Sequence, residues 1–329
     1  MKLVFMTDTH GRANNPSSRK DDFPETVLKK ISWVIDFANK NDAAVLHGGD
    51  WLHRPDVTPA FISRLAEVLS NCNNPIFTVV GNHDIYGYNP RTFERTPFHI
   101  VQALGVLKRL HPEGLVYEKD GERVCLSGAD AQYDVDSTPD AYMTAGSEIQ
   151  ENIPRIHVVH GFLTLNEWPN VACTVLDKVL DTQADILLTG HEHSGYGVIK
   201  KNGKIFCNPG SLLRVTAGVG DINQDVKVAL INVEGGASDI ELVRLPLDIA
   251  RPADEVLDRE KLLSEKEHER RMLSFSTNLE SASLDDLSKE SGNIFEVFRA
   301  YAEKESLSPA VVSFINKKLA EAEEMRANL

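Results

Sequence analysis

The chain has 329 residues, of which 42% are hydrophobic and 26% charged, with 21 glycines and 15 prolines. Those values belong to an ordinary globular protein with a substantial core, and they exclude collagen-like, low-complexity and wholly disordered chains. The formal net charge of −14, from 35 basic and 49 acidic side chains, by itself argues against nucleic-acid binding.

The N-terminal run Met1-Lys2-Leu3-Val4-Phe5-Met6-Thr7-Asp8 meets an acid too early for a signal peptide. No apolar run approaches the ~20 residues of a membrane-spanning helix. A soluble protein of the cytoplasm is expected. Cys72, Cys125, Cys173 and Cys207 are widely separated, so reduced thiols are expected rather than a disulfide framework or a cysteine zinc site.

Lys2–Met6 reads as the first strand. A helix follows over Pro24–Ala38, with Val27, Leu28, Ile31, Val34 and Ile35 at helical spacing. Ala43–Leu46 is the second strand, Pro59–Leu69 the second helix and Ile76–Val80 the third strand. Strand, helix, strand is the signature of a parallel sheet. A helix near Arg91–Leu104 is a candidate dimer interface or packing element. Asp120-Gly121, Asn202-Gly203 and Gly235-Gly236 each separate two apolar stretches, as in tight hairpins. Ile156–Val159 and Ile186–Leu188 add buried strands. Residues 253–272 read as a charged helix and 274–292 as a linker rich in Ser, Asp and Glu. Two amphipathic helices then carry Ile294, Phe295, Phe298 and Tyr301, and Val312, Ile315 and Leu319. Three regions result: residues 1–250, 251–292 and 293–329.

Five strand ends carry metal-seeking side chains: Asp8-Thr9-His10, Gly48-Gly49-Asp50, Gly81-Asn82-His83-Asp84, His160-Gly161 and Gly190-His191-Glu192-His193. In open α/β sheets, sites form beyond the carboxyl ends of strands, so all five can meet at one edge. Asp8, His10, Asp50, Asn82, His160, His191 and His193 offer carboxylate, imidazole and amide donors without thiolate, a set suited to Mn, Fe or Zn. Seven donors exceed one tetrahedral ion and suit two ions that share a carboxylate. His47 and His157 read as core histidines. His99, His111 and His268 join no constellation, and Glu192 reads as pointing away from the site.

In these motifs residues 1 to about 215 resemble the calcineurin-type metallophosphoesterases. The resemblance implies a four-layer α/β/β/α sandwich with two mixed β-sheets, followed here by C-terminal helices. It implies one ion on Asp8, His10 and His193, a second on Asn82, His160 and His191, and Asp50 bridging both. It makes His83 the group that protonates the leaving oxygen or stabilises the transition state, oriented by Asp84. Gly48-Gly49-Asp50-Trp51-Leu52-His53 is similar to the second motif of SbcD-type double-strand-break repair nucleases, which implies that His53 positions DNA. Asn208-Pro209-Gly210-Ser211 resembles the same group, and reads equally as a plain turn.

On that resemblance the chain is expected to be an exonuclease and single-strand endonuclease, with Mn²⁺ the expected metal. DNA contacts are expected from Arg12, Arg19, Lys20, Arg54, Arg91 and Arg95. Homodimerisation is expected. Docking on an SbcC-type coiled-coil ABC ATPase is expected through Phe295, Phe298, Tyr301, Val312, Ile315 and Leu319. The chain lacks room for a large DNA-binding cap, and its size is closer to phage-encoded versions, which would act in the host cytoplasm. The competing expectation is a phosphatase or small-molecule phosphodiesterase on the same core.

Overall fold

The computed structural model describes residues 1–258, except 17, 144, 147, 148, 150, 151, 170 and 215–223; beyond 258 it describes Glu260, Ala302 and Val312. The chain divides into two compact units, Met1–Arg259 and Glu260–Leu329. Among the described residues no helix is long and apolar enough to cross a membrane.

Two six-stranded sheets form the first unit. In the first sheet β1 (Lys2–Met6), β2 (Ala44–His47), β3 (Ile76–Thr78) and β4 (Lys108–Arg109) lie side by side and parallel. Beyond β1 the sheet continues through the antiparallel hairpin of residues 227–234 and 237–244. The second sheet has a parallel centre of four strands, in the order 204–208, 186–190, 155–160 and 122–129. Hairpin partners 197–201 and 115–119 close its two edges antiparallel. All three hairpins turn at the expected dipeptides, and Asp120, Gly121, Asn202, Gly203, Gly235 and Gly236 all take positive φ.

The uninterrupted apolar runs arise because both faces of each sheet are covered. Side chains alternate along a strand. Leu3, Phe5, Ala44, Leu46 and Phe77 therefore meet Leu126, Ile156, Val158, Ile186 and Leu188 in a core between the sheets. Val4, Met6 and Val45 point the other way, onto Val27, Ile31, Val34 and Leu65 of α1 (Phe23–Lys40) and α2 (Pro59–Leu69). Val159, Leu187 and Phe206 cover the far side of the second sheet against Tyr142, Leu176 and Val179. Among the described residues that last layer holds one-turn helices at 140–143 and 176–178 and the short strand pair 163–164 and 174–175. The sandwich is thus thick with helix on one outside face and thin on the other.

One expected helix is two. Residues 90–95 form a 3₁₀ turn and α3 covers His99–Ala103. Thr96 between them is extended, with φ −92° and ψ 148°. Pro97 causes the break, since its ring disfavours a helical residue before it. Phe93, Phe98 and Val101 pack inward, while Ile100 and Leu104 are exposed. The charged stretch from 253 is helical at Ala253–Val256 and extended at Leu257. The linker and the two tail helices lie outside the described residues, save that Ala302 and Val312 are helical.

His157 is a core residue, as read. Its Nε2 lies 2.8 Å from the Ala141 carbonyl and must donate, so its Nδ1 accepts from Ser127 Oγ at 2.8 Å. Burial holds its pKa down to about 4. Between pH 4 and 6.5 the unfolded chain binds a proton there that the native chain refuses, so stability falls as pH falls through this window. The effect on complete traverse is on the order of 3 kcal/mol. His157→Gln is expected to flatten the dependence of melting temperature on pH between 4 and 6.5. An unchanged slope in the variant contradicts this account.

Candidate metal centre

The strand ends converge because the loops beyond β1 and β2 stay paired. Asp8 N donates to Gly49 O at 3.1 Å, His10 N to Asp50 O at 2.9 Å and Gly11 N to Trp51 O at 2.7 Å. Gly49 takes a φ of +93°, and a Cβ there would meet His160 Nδ1 at 2.5 Å. A Cβ on Gly81 would fall 2.1 Å from the Asp50 backbone and carboxylate, so only glycine allows the third loop this close. Asp8, His10, Asp50 and His191 all adopt left-handed backbone, with φ of 55°, 41°, 55° and 75°. Four such residues in one site mark backbone strain held by the surrounding structure.

Seven sequence-selected donors come together in two groups. Ligand atoms of Asp8, His10, Asp50 and His193 lie within 4.8 Å of one another, as do those of Asp50, His160 and His191. Asp50 belongs to both. Asn82 Oδ1 lies 2.9 Å from His160 Nε2 and so joins the second group. The Asp8 carboxylate is fixed by Thr7 Oγ1, which donates to Oδ2 at 2.6 Å, and by the His191 backbone N–H.

The donor set fits divalent cations. His160 Nδ1 donates to the Gly48 carbonyl at 2.7 Å. Its Nε2 then faces two oxygens, Asn82 Oδ1 and Asp50 Oδ2, a position that calls for a proton or a metal cation between them. Asp50 Oδ2 is buried without a hydrogen bond, 3.6 Å from His10 Nε2 and 3.5 Å from His160 Nε2. His10 Nε2 and His193 Nε2 lie 3.0 Å apart, converging donors of the same kind. Burial, helped by neighbouring histidines, lowers the pKa of His10 and of His191, which favours the neutral imidazole that a metal binds. Burial also pulls His160 down, but Asp50 and Asp8 outweigh it and raise the pKa. Burial pushes the Asp50 pKa up, yet the imidazoles around it, His160 foremost, outweigh that and lower it.

His83 and His53 stand beside the first group. Their rings stack 5.5 Å apart at 27°, and the His83 ring lies 4.9 Å from that of His10. His83 Nδ1 donates to the His53 carbonyl at 2.8 Å, which leaves Nε2 to exchange a proton with a substrate. His53 is held near pKa 4 by burial and by the positive charge of Arg12.

Asp84 does not orient His83. Its carboxylate accepts the backbone N–H of Leu52 at 2.9 Å, Gly81 at 3.0 Å and Trp51 at 3.3 Å. It clamps the second and third loops together, and burial and Asp50 push its pKa up to about 7. His83 is instead set by His53 and by its own N–H, which donates to Asp50 Oδ1 at 2.8 Å.

Arg19 is also corrected. Its guanidinium is buried, bonded to both Asp21 oxygens at 2.7 Å and to the Arg214 carbonyl, so it braces the fold and presents no charge to DNA. Arg12, half-buried, acts electrostatically on His53, and exposed Arg54 pairs with Asp56. Lys20, Arg91 and Arg95 are exposed.

Two supporting residues, Asp136 and Gln224, escaped the sequence reading, and Ser211 was noted only within a turn-like segment. Asp136 Oδ2 lies 3.5 Å from His191 Nε2. Gln224 Nε2 donates to the His193 and Ser211 carbonyls at 2.7 and 2.8 Å. Ser211, in the segment that read equally as a plain turn, donates to the Asp8 carbonyl through Oγ and to the His193 carbonyl through N. A lone Asp and a lone Gln carry no motif, so only their position exposes them. Glu192 turns away from the metal donors, as expected, and accepts the Ser194 N–H at 2.9 Å.

The family model for calcineurin-like phosphoesterases matches residues 1–195. No curated protein matches the chain. Among solved structures, protein TT1561 of Thermus thermophilus is 11% identical, with 74% of this chain and 99% of that one covered and a TM-score of 0.45. The 5′-nucleotidase of Candida albicans is 12% identical, with coverages of 82% and 57% and a TM-score of 0.43. Vps29 of Chaetomium thermophilum is 13% identical, with coverages of 74% and 95% and a TM-score of 0.31.

Proposed function

Because the chain belongs to the calcineurin-like phosphoesterase family, whose chemistry is metal-dependent phosphoester hydrolysis, we propose that it is a DNA nuclease that cuts phosphodiester bonds at a two-metal centre. The observation that carries the reading is Asp50 shared between two donor groups, with His83 and His53 in a further cluster that joins the first group through His10. Asp8, His10 and His193 would hold one ion and Asn82, His160 and His191 the other. Such ions supply Lewis-acid charge to phosphoryl oxygens and lower the pKa of an attacking water.

The chain's own residues do the rest. His83 Nε2 delivers a proton to the departing oxygen, its ring held by the His53 carbonyl. Asp84 holds the two loops that carry Asp50 and His83 in register. Arg12 and Arg54 flank His53 and favour an approaching phosphate. The specific preference for DNA draws on the Gly48–His53 motif and its likeness to SbcD-type nucleases. That likeness also supports Mn²⁺, a homodimer, and an SbcC-type ATPase partner engaged by residues 293–329, with a role in recombination, repair or phage DNA processing.

The test is incubation of the purified chain with Mn²⁺ and circular single-stranded DNA, with and without chelator. Cutting that chelator abolishes is the expected result. Rapid hydrolysis of a mononucleotide or phosphopeptide with DNA left intact would overturn the nuclease reading in favour of a phosphatase.

A further inference from the structure

A run of aromatic rings leads from the second donor group to solvent. The Phe162 ring meets His191 edge-on, with centroids 5.5 Å apart and planes at 80°. Trp168 meets Phe162 in turn, at 5.3 Å and 86°. Trp168 itself is 47% exposed. Its loop is nevertheless anchored. Leu163–Thr164 pairs with Thr174–Val175 at the loop base, and Thr164 Oγ1 donates to the Asn166 carbonyl. The Phe162 N–H donates to Asp136 at 2.6 Å, and Asp136 also faces His191.

We propose that Trp168, braced by Phe162, stacks an unpaired nucleobase of the strand whose phosphodiester lies at the metal centre. The inference rests on the nuclease reading and deepens it: the substrate class is a nucleic-acid strand with unstacked bases. Charge supports the choice. A chain of net charge −14 offers phosphates little general attraction. Stacking needs no charge, and every base presents a π face. The contact through Phe162 to His191 makes the ring run continuous with the hydrolytic site.

The experiment compares kcat/KM on an oligothymidylate and on a strand of equal length that is abasic throughout, for the wild type, Trp168→Ala and Trp168→Phe. The wild type is expected to favour the base-bearing strand by roughly 5- to 100-fold, the scale of one stacked base. Trp168→Ala is expected to lose most of that preference and Trp168→Phe to keep most of it. A preference unchanged in Trp168→Ala overturns the inference while the nuclease reading stands. An equal loss on both strands makes Trp168 a loop brace and overturns it too. If the wild type cuts neither strand but hydrolyses a small phosphomonoester, the nuclease reading falls and the inference with it. Should Trp168→Ala not fold, tryptophan emission in His83→Ala decides: quenching by the thymidylate strand and not by the abasic strand is expected, and equal quenching by both overturns the proposal.

Discussion

Asp50→Ala is expected to cost the protein both metal ions and to lower phosphodiester turnover roughly 10⁴-fold or more, the scale seen when members of one catalytic unit are removed. Among the described residues, its carboxylate is the only donor common to both groups. Its Oδ2 faces His10 and His160, and its Oδ1 holds the His83 N–H at 2.8 Å. Its removal leaves Asp8, His10 and His193 on one side and Asn82, His160 and His191 on the other, without the carboxylate between them. Asp50→Asn separates the two roles, because an amide oxygen still accepts from His83 N while the negative charge is gone. Metal content after gel filtration is the direct measure. Two ions retained per chain in Asp50→Ala would show that Asp50 bridges nothing.

His83→Ala is expected to keep both ions and still lose roughly 10²- to 10⁴-fold in turnover on DNA, the usual worth of a positioned general acid. The imidazole lies outside the two donor groups that share Asp50, and the Nδ1 bond to the His53 carbonyl commits its other nitrogen to the substrate. The acid role makes a second, sharper claim. A p-nitrophenyl leaving group departs without a proton, so the loss on a p-nitrophenyl diester is expected to be much smaller than on DNA. Equal losses on the two substrates would assign His83 to electrostatic stabilisation instead. Unimpaired cutting of DNA would remove it from the mechanism.

Much of the fold was legible because it is governed by local pattern. Leu3 to Met6 and Ile186 to Leu188 are apolar at every position, which requires cover on both faces of a strand. The dipeptides Asp120-Gly121 and Asn202-Gly203 favour the positive φ that tight hairpins need. The helix expected near Arg91–Leu104 failed because Pro97 outweighs the apolar spacing of Phe93, Phe98 and Val101. The thin outer layer on the second sheet was not legible either. Tyr142 comes from one short turn and Leu176 and Val179 from another, each too short to show a period in the sequence.

The sequence by itself determined which residue types follow which strands, because strand ends and metal-seeking side chains are both local features. A parallel sheet then brings successive carboxyl ends to one edge whatever the loops do. The tertiary structure alone decided what each side chain touches. His160 reaches the Gly48 carbonyl across 112 positions of chain, and His191 N reaches Asp8 across 183. Asp84 adjoins His83 in sequence but clamps backbone, because three N–H groups of the packed loops point at it. Arg19 carries a charge that reads as surface, but Asp21 and the Arg214 carbonyl give it partners inside. Asp136 and Gln224 join the site only through contacts distant in sequence, which single-residue chemistry cannot encode. The left-handed backbone at Asp8, His10, Asp50 and His191 is likewise a property of the closed assembly. That conformation is unfavourable for each residue alone and is held by the packing of all five loops together.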